Sequence, residues 1–231
     1  MFQGSFLNGR CFTERGLMTP IDLATAVRLE FGFYQVAARR REWEKHSLGH
    51  PESDISTFLA CLPGAACMLD AGCGWARYVY VFLDAGIEYV GLDFSSEMLV
   101  VATQEYPDCQ FVEGSVAEMP FPANSFDGVW SCCVLTSIPK AYIVEVLQEH
   151  YRVLKPGGVL YVVMSHCYES KDVAFSDADR TRLTGAIYHT EEFEFCLRRA
   201  GFVVEEARER DEHGSHYFIA RKPQQVEEKE E

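Results

Sequence analysis

The feature that most constrains the fold is the alternation of short apolar runs with amphipathic segments between residues 55 and 165. Short apolar runs bounded by turn residues are typical of strands, whereas apolar residues spaced three or four apart indicate helices. Strands separated by helices form parallel pairs, and right-handed crossovers place helices on both faces of the sheet. The pattern therefore predicts a doubly wound α/β fold.

Seven apolar runs have the length and composition of strands. Helical segments lie between most of them, but only a short His-Gly turn separates the last two, so the last strand should be antiparallel. The seven runs are AACMLDA, IEYVGLD, CQFVEGS, SFDGVWSCCVL, GGVLYVVMS, FVVEEARE and SHYFIARK.

Three zones divide the chain. An N-terminal helical cap is predicted for residues 1–50, because a Thr-Pro helix-start signal precedes a mixed apolar and charged stretch. The main α/β domain is predicted for residues 51–222, and a disordered acidic tail is predicted for residues 223–231. The segment LGHPESD is interpreted as a linker between the cap and the domain.

Composition and charge argue against several partners. The chain has 231 residues and a formal net charge of −14, and phosphate backbones attract Lys and Arg, so no nucleic-acid partner is expected. Nine cysteines without a CxxC pair predict reduced thiols, no metal site and a cytoplasmic location. No membrane partner is expected, since no window has the apolar length of a membrane span. The oligomeric state stays open.

A glycine-rich loop follows the first predicted strand of the sheet. Gly72 and Gly74 allow the main chain to approach a ligand closely and leave N–H groups available. Asp93 ends the second strand, where a carboxylate can accept hydrogen bonds from both hydroxyls of a ribose. A glycine loop followed by such an acid predicts a ligand that contains adenosine.

Two residues favour one adenosine ligand over the others. A dinucleotide-binding G-x-G-x-x-G fingerprint that begins at Gly72 needs a glycine where this chain has Arg77. Asp70 lies just before the glycines, where a carboxylate repels a pyrophosphate but suits a cationic amino group. The loop therefore favours a zwitterionic ligand with cationic groups, and S-adenosylmethionine fits this description.

Four motifs, in this order, resemble those of class I S-adenosylmethionine-dependent methyltransferases. They are DAGCGWA, with Ala76 where a third glycine is usual, EYVGLDFSSEML, FVEGSVAEMPFPANSFDGVWS and HYRVLKPGGVLYV. The resemblance covers about residues 55–165 and is closest to the small-molecule branch that includes quinone-biosynthesis methyltransferases. It implies a Rossmann-like fold, S-adenosyl-L-methionine as cofactor and methyl transfer to a small-molecule acceptor.

The resemblance also implies cofactor-binding roles for residues at the strand ends. Asp70 would order the amino end of the cofactor, Asp93 would hold the ribose hydroxyls, and Phe94 would flank the adenine. Ser115 would contact the adenine amino group, although the family more often has Asp there. The implied cofactor-binding residues are Asp70, Ala71, Gly72, Cys73, Gly74, Asp93, Phe94, Met98, Ser115, Val116, Trp130 and Ser131.

The acceptor side of the site is less specific in the sequence. His166 directly follows the fifth strand and is the candidate general base, which is needed only if the acceptor loses a proton. A histidine that hydrogen-bonds a loop is the alternative. The candidate substrate contacts are Tyr34, for which core packing is the alternative, Tyr168, Tyr188 and His189.

Three functions stay open at this point. The first is methyl transfer to a small molecule. The second is a non-catalytic methyltransferase-like binding protein, because Ser115 replaces the usual Asp and Ser137-Ile138-Pro139 offers no catalytic residue where many relatives carry a His-Leu-Asp type segment. The third is a protein or tRNA methyltransferase, and the acidic charge disfavours tRNA.

Overall fold

The computed structural model of the protein describes residues 5–7, 10–13, 16–17, 52–164, 188–209 and 216–224. Three short strands near the N-terminus form a separate antiparallel sheet: β1 (Ser5–Leu7), β2 (Arg10–Thr13) and β3 (Gly16–Leu17). These strands are not among the predicted elements. The helices predicted for the N-terminal cap lie outside the described residues.

The main sheet contains seven strands: β4 (Cys67–Ala71), β5 (Glu88–Asp93), β6 (Gln110–Glu113), β7 (Phe126–Cys132), β8 (Leu154–Met164), β9 (Val203–Glu209) and β10 (His216–Arg221). Their order across the sheet is β6-β5-β4-β7-β8-β10-β9. The strands from β4 to β8 are parallel, and β10 is antiparallel to both of its neighbours. The predicted sheet, with its antiparallel last strand, is confirmed.

Helices cover both faces of this sheet. Alternate residues of β4 enter different apolar clusters: Leu69 lies in one with the helical residues Val146 and Phe193, and Met68 lies in the other with the helical residues Phe58 and Phe82. This alternation is the period of two expected of a strand buried on both faces. Among the described residues, no helix is both long and apolar enough to cross a membrane. The helices are α1 (Glu52–Cys61), α2 (Val79–Asp84), α3 (Ser96–Glu105), α4 (Ile143–Val153) and α5 (Thr190–Arg199).

Two helix boundaries differ from the sequence prediction. Helix α1 begins inside the segment that was interpreted as a linker, because Ile55 and Phe58, one turn apart, are fully buried against the sheet. Helix α2 begins only at Val79, although the sequence predicted a helix from Ala76. Ala76 has a φ of 60°, a left-handed conformation that a right-handed helix excludes.

Lys222 connects the end of β10 to the end of α4. Its buried ammonium donates to Asn124 Oδ1 at 2.8 Å and to the carbonyl oxygens of Tyr151 at 2.9 Å and Leu154 at 2.7 Å. We expect Lys222→Met to lower the free energy of unfolding by about 2 kcal/mol, because these acceptors would lose a charged donor. Urea unfolding measures the change, and an unaltered midpoint would contradict the expectation.

Candidate functional site

The carboxyl ends of the parallel strands bring the predicted residues to one edge of the sheet. Ala71 of β4 pairs with Leu92 of β5, and Asp70 pairs with Trp130 of β7. The strand order changes direction between β4 and β7, since β5 and β6 lie on one side and β7 and β8 on the other. In open α/β sheets, this switch point is where ligands bind.

Strand β5 holds the glycine loop in place. The N–H groups of Gly72 and Cys73 both donate to Leu92 O, at 2.7 and 2.9 Å. Gly72 and Gly74 have φ values of 82° and 54°, in the left-handed region that glycine adopts without strain. A Cβ on Gly72 would overlap Val134 Cγ2, whereas a Cβ on Gly74 would have no atom within 4 Å. The loop is therefore packed on the Gly72 side and open on the Gly74 side.

Asp93 is hydrogen-bonded to this loop, nineteen residues away along the chain. Its Oδ2 accepts from Gly74 N–H at 2.8 Å, and its Oδ1 accepts from Ser95 N–H at 2.9 Å. Burial raises the pKa of Asp93, and the main-chain N–H groups act in the opposite direction. Each carboxylate oxygen keeps a second acceptor position, so Asp93 can still accept hydrogen bonds from a ligand.

Asp70 is a buried carboxyl beside Asp93. The hydroxyl of Tyr89 donates to Asp70 Oδ2 at 2.7 Å. Burial raises the pKa of Asp70 to about 7, with a further rise from the Asp93 charge, although the Tyr89 hydrogen bond lowers it. A ligand cation beside Asp70 would favour the ionised form. This carboxyl can therefore change its protonation state when a cationic group binds.

Ser115 and Val116 lie in a turn directly after β6. Ser115 Oγ accepts from Ala117 N–H at 3.1 Å, and Ser115 O accepts from Glu118 N–H at 3.1 Å. The side chain of Val116 is buried in the core, so only its main chain is available to a ligand. The adenine contacts that the resemblance implies for these two residues stay predictions.

Side chains at the ends of β5 and β7 differ in whether they are free to contact a ligand. Trp130 is buried and stacks on Tyr161 at 5.0 Å, so a cofactor contact from it would have to use the main chain. Ser131 is also buried, and its Oγ has no hydrogen-bond partner within the described part of the chain. Phe94 is half-buried just past β5, while Met98 is buried and its N–H donates to the Ser95 Oγ that caps α3.

The predicted acceptor-side residues fall into two groups. Those outside the described residues are Tyr34, His166 and Tyr168. Tyr188 is 3% exposed, and its ring packs against Phe193, with Lys140 Nζ 4.6 Å from the ring centroid. The Tyr188 hydroxyl has no hydrogen-bond partner among the described residues, while His189 is exposed. The substrate role of each residue stays a prediction.

Helix α5 begins at the same edge of the sheet as the glycine loop. Thr190 Oγ1 lies 2.9 Å from His216 Nδ1, and His216 pairs with Met164, the last residue of β8. Met164 and Thr190 therefore both lie at the carboxyl edge of the sheet.

Two residues whose side chains support the site are not identifiable from the sequence. Tyr89 and Val134 both lie in apolar stretches, which carry no signal beyond core packing. Their roles depend on contacts with Asp70 and Gly72, which the fold alone brings near them. Strand pairing and side-chain packing therefore had to be known before either residue could be placed in the site.

This strand order, together with a glycine loop hydrogen-bonded to an acid at the end of the next strand, defines the class I S-adenosylmethionine-dependent methyltransferase architecture. Residues 69–162 match the family model of the methyltransferase domain.

Curated relatives match a little under half of the chain. The demethylmenaquinone methyltransferase of Lysinibacillus sphaericus is 36% identical over 114 residues, which are 47% of this chain and 47% of that protein. The enzyme of the same name from Bacillus licheniformis is 38% identical over 111 residues, or 46% of this chain and 47% of that protein. The chain thus spans about half the length of the curated relatives it matches.

Solved structures share the fold at lower identity. A methyltransferase from Aquifex aeolicus, described as dependent on S-adenosylmethionine, has a TM-score of 0.59 and 18% identity, and the match covers 87% of this chain and 99% of that one. The [4+2]-cyclase SpnF also has a TM-score of 0.59, with 21% identity over 74% of this chain and 80% of its own. These likenesses show the fold alone, because one fold can serve different reactions.

Proposed function

We propose that the protein transfers a methyl group from S-adenosylmethionine to a small-molecule acceptor. The observation that carries this proposal is the hydrogen bond from Gly74 N–H to Asp93 Oδ2 at 2.8 Å. It joins a loop with open space above it to a buried carboxylate at the switch point of the sheet. The match of residues 69–162 to the methyltransferase domain supports the same reaction.

The residues at this edge fit the proposed cofactor. The empty surroundings of the Gly74 Cβ position leave room for the ligand beside the main chain. Asp93 would accept hydrogen bonds from the ribose hydroxyls with its remaining acceptor positions. Asp70 would hold the ammonium of the amino-acid end, since the two charges attract in a buried place. When bound, S-adenosylmethionine supplies an electrophilic methyl group on a sulfonium.

The contribution of this chain to the reaction is mainly positioning. In-line displacement needs the acceptor and the methyl carbon held in one orientation, and good orientation can lower the barrier of such a reaction by up to about 7–11 kcal/mol. Hydrogen bonds from Gly72 and Cys73 to Leu92 O fix the loop that would hold the amino-acid end. His166 would remove a proton only from an acceptor that has one to lose.

We further propose a quinone-like aromatic molecule as the acceptor. The support is that the relatives matched above are named demethylmenaquinone methyltransferases. The formal charge of −14 weighs against a nucleic-acid acceptor. We also propose a cytoplasmic location, and the free thiols of the described cysteines suit its reducing conditions.

Calorimetry and methyl incorporation test the two parts of this proposal. We expect the wild-type protein to bind S-adenosylmethionine and to transfer the labelled methyl group to the reduced, hydroquinone form of demethylmenaquinone, whose electron-rich ring carbon can attack the methyl group and then lose its proton. Asp93→Asn should weaken cofactor binding about tenfold or more, because the amide cannot replace hydrogen bonds to a carboxylate. Glu113→Gln is the matched control, since Glu113 pairs with Asp93 at the end of the adjacent strand but is exposed.

Each result of these assays has a separate meaning. A wild-type protein that does not bind the cofactor at saturating concentration would refute the proposed function. Binding without methyl transfer to any quinone would refute the acceptor class. Equal affinities in Asp93→Asn and Glu113→Gln would remove Asp93 from the cofactor site.

A further inference from the structure

We propose that Glu149 and Arg152, near the end of α4, are positioning residues that hold the adenine side of the cofactor pocket in place. We call these two residues the α4 clamp. The inference rests on the proposed function, because the adenine belongs to the cofactor proposed there. Neither side chain lies at the carboxyl ends of the strands, so the clamp would act through the turn after β6.

Five hydrogen bonds build the α4 clamp. Arg152 Nε and Nη2 donate to the two carboxylate oxygens of Glu149, at 2.8 and 2.7 Å. Arg152 also donates from Nη1 to Phe121 O at 2.7 Å and from Nη2 to Met119 O at 3.0 Å. Glu149 Oε1 accepts from Met119 N–H at 2.7 Å. The clamp thus binds both the N–H and the C=O of Met119.

The location of the pair on α4 favours this geometry. Residues three apart on a helix are neighbours, and a cation in the last turn interacts favourably with the helix dipole. Burial alone would raise the pKa of Glu149, but the hydrogen bonds from Arg152 and Met119 N–H outweigh it and lower the pKa. The carboxylate therefore stays charged at neutral pH and keeps the guanidinium in a bidentate arrangement.

The exposure of Glu149 and Arg152 favours a positioning role over a purely stabilising one. The Arg152 side chain is 36% exposed and the Glu149 side chain 16%. Partly exposed ion pairs contribute little to stability, typically about 0–1 kcal/mol. The three hydrogen bonds to main-chain groups of Met119 and Phe121 instead fix the path of the chain between β6 and β7.

A short, compact turn connects the α4 clamp to the adenine side. From Met119, the chain runs back to Ser115 through the hydrogen bonds of the turn described above. Val116 and Met119 are both buried in the same core cluster, so they cannot move independently. Pro120 also packs close to Gly114, at the start of the turn. A Cβ on Gly114 would come within 3.0 Å of Pro120 Cδ. A shift of Met119 would therefore move the main chain of Ser115 and Val116.

Loss of the α4 clamp should affect one end of the cofactor only. The ribose and amino-acid ends would still be bound by β4 and β5, through the glycine loop and Asp93. Recognition of the adenine ring would weaken, because Ser115 and Val116, the predicted adenine contacts, lie on this turn. We therefore expect lower cofactor affinity, poorer discrimination between purine rings, and an unchanged turnover rate at saturating cofactor.

Arg152→Lys tests this expectation, because lysine keeps the charge but lacks the bidentate fork. The probes are S-adenosylhomocysteine and S-inosylhomocysteine, in which hypoxanthine replaces adenine, and the measurement is calorimetry. We expect the Kd for S-adenosylhomocysteine to rise about fivefold to tenfold, as for the net loss of one typical hydrogen bond. The preference for adenine over hypoxanthine should fall, and kcat should stay within about twofold while KM rises.

Arg221→Lys is a matched control. Arg221 donates to both oxygens of Glu205, at 2.6 and 3.1 Å, and to Gly157 O at 2.8 Å. This second Arg–Glu pair also binds a main-chain carbonyl, but it lies at the amino end of β8, away from the glycine loop. We expect Arg221→Lys to leave the affinity for both probes unchanged.

The outcomes separate the inference from the proposed function. If the wild-type protein binds neither probe, the proposed function fails and the inference fails with it. If the wild-type protein binds and Arg152→Lys binds equally well, only the inference is overturned. An equal loss in both lysine variants, or an unchanged adenine preference, would also overturn it. Glu149→Gln, which keeps an acceptor for Met119 N–H, replaces Arg152→Lys if that variant does not fold.

Discussion

Asp70→Asn is expected to stabilise the protein at pH 8 and to weaken its binding of S-adenosylmethionine. Burial raises the pKa of Asp70 to about 7 in the folded protein, whereas an unfolded Asp has a pKa of about 3.9. A raised carboxyl pKa favours folding at low pH, and this contribution is lost as the pH rises through about 7. At pH 8 the wild-type protein therefore contains a buried charge that the amide removes.

The stability gain should depend on pH in a defined way. Urea unfolding of the wild-type and Asp70→Asn proteins from pH 4 to pH 8 should show a difference that grows up to about pH 7 and is then constant. The amide oxygen can still accept from the Tyr89 hydroxyl, so this hydrogen bond is retained. A difference that is independent of pH would show that the Asp70 pKa is not raised.

Asp127→Asn provides the contrasting control. Asp127 Oδ2 accepts from Lys155 Nζ and from Cys67 N–H, both at 2.9 Å, at the opposite edge of the sheet. Its replacement should lower stability, because the Asp127 carboxylate is ion-paired with Lys155, whereas Asp70 accepts a hydrogen bond from the neutral hydroxyl of Tyr89.

The affinity for the cofactor should also depend on the ionisation of Asp70. If the ammonium of the cofactor binds beside Asp70, binding below pH 7 must release the Asp70 proton, and affinity should fall as the pH is lowered. Calorimetry at pH 6 and pH 8 would measure this dependence, and it should be absent in Asp70→Asn. A wild-type affinity that does not change with pH would place the ammonium away from Asp70.

Gly72→Ala is expected to have the largest effect on the fold of the loop. The left-handed conformation of Gly72 would cost an alanine about 1–2 kcal/mol, and the overlap of its Cβ with Val134 about 1–3 kcal/mol more. We expect a loss of about 3 kcal/mol in the free energy of unfolding and no measurable cofactor binding. Chemical unfolding and calorimetry measure the two effects.

Gly74→Ala and the double variant Gly72→Ala/Val134→Ala separate the two causes of the expected loss, which are backbone strain and overlap with Val134. Gly74 also has a positive φ, but its Cβ would meet no atom within 4 Å, so its replacement should cost only about 1 kcal/mol. Its methyl group would enter the open side of the loop and weaken cofactor binding. Gly72→Ala combined with Val134→Ala should recover the overlap cost but not the strain. Wild-type stability in the single Gly72→Ala variant would contradict the packing of this loop.

The kinds of elements in the main sheet could be predicted from local sequence patterns. Apolar runs, helical spacing and a short last turn are local properties, and they specified strands, crossovers and the antiparallel last strand. The glycines near residue 72 and the acid at residue 93 could also be predicted as site residues, because a parallel sheet brings strand ends together. Ser95 as the start of α3 was predictable for a similar reason, since capping depends on neighbouring residues.

The contacts that hold this edge of the sheet could not be predicted from such local patterns. The hydrogen bond of Tyr89 to Asp70, the contact of Val134 with Gly72 and the α4 clamp on Met119 join residues far apart in the sequence. Ala76 shows the same limit locally, because it adopts the left-handed conformation that its type disfavours and so delays the start of α2. Local patterns report which elements form, whereas burial, pKa and side-chain partners depend on contacts that exist only after those elements have packed.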